Sequence, residues 1–137
     1  MLVMGILNVT PDSFADGGKH YTYEHAVARG QEMIEEGVDI IDIGGESTRP
    51  GADRVSEEVE QARVIPVIKA LSGKGVVISV DTMRASTARL AVEAGAEIVN
   101  DVSGGAADPE MFSTVASLGC QYTLMHWRGH SKDMNSK

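Results

Sequence analysis

Asn8, Asp12 and Asp16 place three oxygen-bearing side chains within nine residues. Asn8 opens, and Asp12 and Asp16 fall within, a stretch whose Pro, Asp, Ser and Gly content over residues 10–20 reads as a loop. Such oxygens suit Mg²⁺, which takes few protein ligands and keeps water or phosphate oxygens for the rest. Ordinary turn chemistry uses the same residues. A second cluster runs Gly44-Gly45-Glu46-Ser47-Thr48-Arg49-Pro50-Gly51. Its glycines let a backbone approach an anion, and Arg49 offers a planar fork for phosphate or carboxylate. A plain strand-to-loop turn would also use those glycines.

The third cluster is Ser79-Val80-Asp81-Thr82-Met83-Arg84. Side chains alternate along a strand, so Val77, Ser79 and Asp81 share one face while Val76, Ile78 and Val80 share the other. The aliphatic face should meet helices and the polar face the interior. By the same alternation Ile98 goes with Asn100, and Thr123 with Met125. A carboxylate and an amide pointing inward from adjacent strands offer acceptors and a donor to a small, flat, nitrogen-rich heterocycle. Asp81 has two other possible roles, capping the next helix or pairing with Arg84. His126 and His130 are four apart, but Trp127-Arg128-Gly129 between them does not make a metalloprotease helix. Ser72-Gly73-Lys74-Gly75 lacks P-loop spacing and reads as a turn. No spacing supports a Ser–His–Asp or Cys–His arrangement.

The elements that must carry these clusters run βαβαβαβαβ. Residues 3–7 form a first strand ending at Asn8. Thr22 caps a helix with apolar positions Tyr23, Ala26, Val27, Gly30, Met33 and Ile34, stopped by Gly37. Residues 38–43 are the second strand. Ser56, followed by Glu57 and Glu58, opens the second helix, which Pro66 should kink or restart. Strand 76–80 is almost wholly β-branched, helix 85–94 ends at Gly95, and strand 97–99 follows. Asp108-Pro109-Glu110 reads as a cap, a first-turn proline and a first-turn acid of a helix reaching Leu118, with Gly119 as its stop. Residues 121–125 are a fifth strand, and 128–137 a polar tail. Apolar strands alternating with amphipathic helices require a parallel sheet with right-handed crossovers. Five strands suit an open doubly wound sheet or the front of an eight-stranded barrel. No Gly-x-Gly-x-x-Gly follows the first strand, which argues against a dinucleotide fold.

The 137 residues make one domain or part of one, and 42% hydrophobic with 23% charged residues is ordinary soluble composition. A net charge of −8, with no concentration of Lys and Arg, argues against a nucleic-acid surface. The single cysteine, Cys120, allows no intrachain disulfide. It points to a reducing cytosol and reads as an inert, buried thiol. Met1-Leu2-Val3-Met4 has no basic region, so no signal peptide is expected. No apolar run approaches the roughly 18–20 residues of a membrane span.

Taken together, residues 5–14, 44–51, 79–82 and 99–105 closely resemble the dihydropteroate synthase family, the first two segments resembling its two signature regions. Met125-His126-Trp127-Arg128 and the spacing between blocks extend the resemblance over essentially the whole chain. It implies an α/β fold, the first five strands of a TIM (β/α)8-type barrel, with residues 1–137 as the N-terminal portion of a single pterin-binding domain. It also implies the joining of p-aminobenzoate to 6-hydroxymethyl-7,8-dihydropterin diphosphate in folate synthesis, with pyrophosphate released and Mg²⁺ on the diphosphate. By position, Asp81 and Asn100 resemble pterin ligands, Met125 lines the slot, and Asn8 lies beside Mg²⁺ and the diphosphate. Phe14 and Asp16 fall in one mobile loop of the family and Thr48, Arg49 and Pro50 in another. Those loops shape the p-aminobenzoate and diphosphate sites. The catalytic set carried over is thus Asn8, Asp16, Thr48, Arg49 and Asp81. The resemblance further implies a cytoplasmic homodimer and a sulfonamide target.

A full barrel of this kind runs to about 250 residues. The family's later Asp-Pro-Gly and Ser-Arg-Lys segments and its final Arg-x-His are missing here, so the chain alone is expected to be inactive. Two alternatives stand beside this expectation. One is a pterin-dependent methyltransferase domain, against which the segment 47–51 argues. The other is a non-catalytic pterin-binding half-barrel, suggested by length alone.

Overall fold

The computed structural model describes residues 2–10, 19–45 and 55–124. Its elements are β1 (Met4–Asn8), α1 (Lys19–Glu36), β2 (Ile40–Gly44), α2 (Glu57–Leu71), β3 (Val77–Asp81), α3 (Ala85–Ala94), β4 (Ile98–Asp101), α4 (Met111–Leu118) and β5 (Gln121–Leu124). Every strand pairing is parallel, and the strands lie side by side in chain order. That order contains no reversal, the feature that defines a doubly wound sheet. Of the two architectures open from sequence, the chain adopts the progression of a barrel. Four helices pack in a single layer, α1 on α2, α2 on α3 and α3 on α4.

The aliphatic face of the sheet meets that layer. Leu7, Ile41, Ile43, Ile78, Val80 and Val99 are buried in one core with Val64, Ile68, Leu71, Ala88 and Met111 of the helices. Close packing needs small residues where helices approach. A Cβ on Gly30 would lie 2.4 Å from Leu71 Cδ1, so glycine lets α1 settle against α2. On the opposite face of β1, Met4 and Ile6 are exposed.

Several boundaries differ from the sequence expectation. The first helix starts at Lys19, and Thr22 is a buried residue inside it rather than its cap. Nothing in Lys19-His20-Tyr21 breaks a helix, so the turn propagates upstream of Thr22. Ser56 does cap α2, accepting the Val59 N–H at 3.1 Å. The helix then runs through Pro66 to Leu71 without restarting. Pro66 and Ala62, whose carbonyl loses its helical partner there, are both exposed, so water can replace the missing bond.

The fourth helix begins at Met111, three residues after Asp108. Asp108 instead accepts the Glu110 N–H at 2.9 Å with one oxygen and the Ala85 N–H at 2.7 Å with the other. It therefore tightens the turn before α4 and caps α3 from across the layer. Gly95 and Gly119 end their helices with positive φ, as their expected role as stops requires.

Candidate functional site

Parallel pairing fixes which side chains share a level. Register aligns Asn8 with Gly44, Gly44 with Asp81, Asp81 with Asn100, and Asn100 with Thr123. Three sequence-predicted site residues, Asn8, Asp81 and Asn100, thus lie in one cross-strand row at the C-terminal ends of the strands. One level below, Ile6 aligns with Asp42, Asp42 with Ser79, and Ser79 with Ile98. Strand alternation turns both rows away from the helices. Asn8 is exposed, Asp81 half-buried and Asn100 buried. Phe14, Asp16, Thr48, Arg49, Pro50 and Met125, as well as Asp12, lie outside the described residues.

The glycine in this row has a steric reason. A Cβ on Gly44 would sit 3.2 Å from Asp81 Cβ and 3.6 Å from its Cγ. Glycine therefore leaves the Asp81 carboxyl room beside β2. Two groups near Asp81 are engaged by other carboxylates. The first N–H of α3 is capped by Asp108, and Arg84 Nη1 is paired with Glu60 Oε1 at 3.0 Å. Arg84 Nη2 also donates to the Val55 carbonyl, while Arg63 Nη1 donates to the Gly45 carbonyl at 2.9 Å. Both flanks of the segment holding Thr48 and Arg49 are thereby tied to side chains from α2 and the β3–α3 turn.

Sequence reasoning gave Asp42 no role of its own. It is 2% exposed. Its Oδ1 accepts from Ser79 Oγ at 2.7 Å and its Oδ2 from Asn100 Nδ2 at 3.4 Å. Burial pushes its pKa up, against the opposing pull of those two donors. The signal was available: Asp42 is the one carboxylate in the apolar run Ile40-Ile41-Asp42-Ile43, and alternation gives it the same face as Ser79. Asn100 Oδ1 is buried and has no hydrogen-bond partner among the described residues. A buried acceptor left alone costs about 1–3 kcal/mol, so one at the mouth of a polar row marks a place for a donor.

Asp101 is buried on the helix side, and its work is local. It accepts from Ser103 N at 2.9 Å, Ser103 Oγ at 2.7 Å, Gly105 N at 3.0 Å and Tyr122 Oη at 2.9 Å. Burial and this carboxylate push the Tyr122 phenol well above its ordinary pKa. Burial likewise raises the Cys120 thiol, although the residue is half-buried rather than buried as expected. An open cleft of about 610 Å³ lies at the opposite, N-terminal ends of the strands, among Leu2, Asp39, Val77, Glu97 and Cys120. Its acids Asp39 and Glu97 are exposed, so it lacks the desolvated polar groups of the row above. Among the described residues no group of three His, Cys, Asp or Glu could hold a metal ion. No helix among them is long and apolar enough to cross a membrane.

Comparison with known proteins gives the arrangement a context. The family model described as pterin binding enzyme matches residues 4–137. The dihydropteroate synthase of Mycobacterium leprae is 53% identical over 126 residues, covering 92% of this chain and 44% of that protein. That of Bacillus subtilis is 57% identical over 128 residues, covering 93% and 45%. The structure of Xanthomonas albilineans dihydropteroate synthase with 4-aminobenzoic acid superposes with a TM-score of 0.87 at 52% identity, covering 93% of this chain and 47% of that one. The chain spans less than half the length of each of these relatives.

Proposed function

This chain belongs to the pterin-binding enzyme family, and from that premise we propose that its strand ends recognise 6-hydroxymethyl-7,8-dihydropterin diphosphate for dihydropteroate synthesis. The observation that carries the reading is the row of Asn8, Asp81 and Asn100, with the buried Oδ1 of Asn100, which has no partner among the described residues, inside it. A pterin edge rich in N–H groups supplies the donors that an amide oxygen and a carboxylate call for. Support comes also from the similar X. albilineans enzyme, solved with 4-aminobenzoic acid and, separately, with 7,8-dihydropteroate.

In this reading Asp81 and Asn100 orient the pterin. The amine nitrogen of p-aminobenzoate attacks the exocyclic methylene carbon, and the carbon–oxygen bond to the diphosphate breaks. The departing pyrophosphate keeps that bonding pair, and the amine nitrogen gives up a proton. Positive charge building on the pterin methylene is stabilised by the Asp81 carboxylate beside the ring. No enzyme nucleophile is required, and positioning supplies much of the rate. Phe14, Asp16, Thr48, Arg49 and Pro50 shape the p-aminobenzoate and diphosphate sites, and Met125 lines the pterin slot.

Asn8 suits an auxiliary role toward Mg²⁺. It is one neutral, exposed oxygen donor at a strand end, fitting an ion held mostly by phosphate oxygens and water. When bound, Mg²⁺ supplies charge neutralisation for the leaving diphosphate. We place the complete enzyme in the cytoplasm as a homodimer, and sulfonamides at its p-aminobenzoate site.

The named relatives are synthases, which favours this reading over methyl transfer. The test is pyrophosphate release from dihydropterin diphosphate, p-aminobenzoate and Mg²⁺, by the chain alone and with the later half of the B. subtilis enzyme added. The expected result is no turnover alone and p-aminobenzoate-dependent release in the mixture, lost with Asp81→Ala. Methyl transfer from methyltetrahydrofolate to a corrinoid protein would overturn the synthase reading. Pterin binding without release in either case would leave a binding module.

A further inference from the structure

Asn100 is an ambivalent side chain, able to present either its carbonyl or its amino group to a ligand. In this fold the choice is made one level below it. Asn100 is 7% exposed, and its Nδ2 faces Asp42 Oδ2 at 3.4 Å. Asp42 is in turn held by the Ser79 hydroxyl at 2.7 Å. An ionised carboxylate has no proton to give, so only the amino end of Asn100 can face it. The opposite flip would set a carbonyl against a carboxylate, two acceptors in a buried place. The contact is long for a hydrogen bond, and avoidance of that clash fixes the orientation as much as the bond does.

We propose that Asp42, anchored by Ser79, is a positioning residue that fixes Asn100 as an acceptor, so that the site reads the N–H edge of its heterocycle and rejects a lone-pair edge. The proposal rests on the pterin reading above for the identity of the heterocycle. Asp42 itself need not touch the ligand. It acts by holding the Asn100 amino group, one of whose two N–H bonds it engages, on its own side, so that Oδ1, which has no partner among the described residues, is the end left for a ligand. Strand geometry makes the device stiff, because Asp42, Ser79 and Asn100 stand on three successive strands of one sheet.

An exchange of the two groups separates polarity from simple packing. Asp42→Asn should weaken binding of 6-hydroxymethylpterin roughly tenfold or more, since Asn100 can then turn its amino group to the ligand. The double variant Asp42→Asn with Asn100→Asp restores one carboxylate and one amide and keeps an acceptor at position 100. It should recover most of the lost affinity. Unchanged binding by a folded Asp42→Asn variant, or failure of the exchange to recover binding, overturns the proposal.

Hydrogen exchange of the Asn100 side-chain amide provides a readout independent of ligand. It should be slow in the wild type and faster in Ser79→Ala, which also serves if Asp42→Asn does not fold. Equal exchange in the two proteins overturns the proposal. Absence of pterin binding by the wild type would refute the pterin reading, whereas the amide exchange would still decide the role of Asp42.

Discussion

A buried carboxylate survives folding only when enough donors surround it, and Glu60 illustrates the arrangement. It is 1% exposed and accepts from Thr82 Oγ1 and Thr87 Oγ1, each at 2.7 Å, and from Arg84 Nη1 at 3.0 Å. Arg84→Met should therefore leave a buried charge short of its cation and cost about 3 kcal/mol, read as a shifted urea midpoint. A loss within experimental error would mean that the two threonines suffice. Gly44→Ala makes the opposite kind of prediction. Its methyl would crowd the Asp81 side chain at the level of the row, so pterin affinity should fall several-fold while unfolding stability changes by less than about 1 kcal/mol. Equal affinity would show that Asp81 has slack. At this scale the sequence disclosed Asp81 and Asn100, because alternation alone sends them inward from adjacent strands. It did not disclose Asp42 or Glu60, whose importance depends on which strands and helices become neighbours.

Elements were readable where local chemistry decides their ends. Ser56 before Glu57 and Glu58, and Gly95 or Gly119 after an apolar stripe, act within a few residues of their position. Asp108 was half-readable: its bond to Glu110 N–H is local, but its cap on α3 is 23 residues away. Those two N–H groups hold its carboxyl below the ordinary value of 3.8. A folded pKa below the unfolded one gives stability that is complete above the unfolded pKa and lost as pH falls through the folded one. Asp108→Asn should thus be less stable than wild type at neutral pH, with the difference shrinking as pH drops below about 4. A difference that stays constant with pH would contradict the capping role. Asp42 works with the opposite sign. Its raised pKa makes the charged form a cost to folding above that pKa, relieved as pH falls toward 3.8. Urea midpoints of wild type, Asp108→Asn and Asp42→Asn across the acid range would separate the two contributions.

Across the whole molecule, strand order did what periodicity could not. Apolar strands between amphipathic helices fit two architectures, and only the unbroken order β1 to β5 selects the barrel progression. That progression puts the helices on one side, the polar row on the other, and the ends of five strands in one place. It also separates two candidate regions, the row at the C-terminal strand ends and the open cleft around Asp39, Glu97 and Cys120 at the N-terminal ends.

Backbone amide shifts followed while the 137-residue chain is titrated with 6-hydroxymethylpterin would locate the bound heterocycle residue by residue. Saturable shifts are expected at Asn8, Gly44, Asp81 and Asn100, with little change at Asp39, Glu97 and Cys120, and loss of the response in Asp81→Ala. Shifts confined to the N-terminal cleft, or none at any pterin concentration, would contradict a pterin site at the C-terminal strand ends.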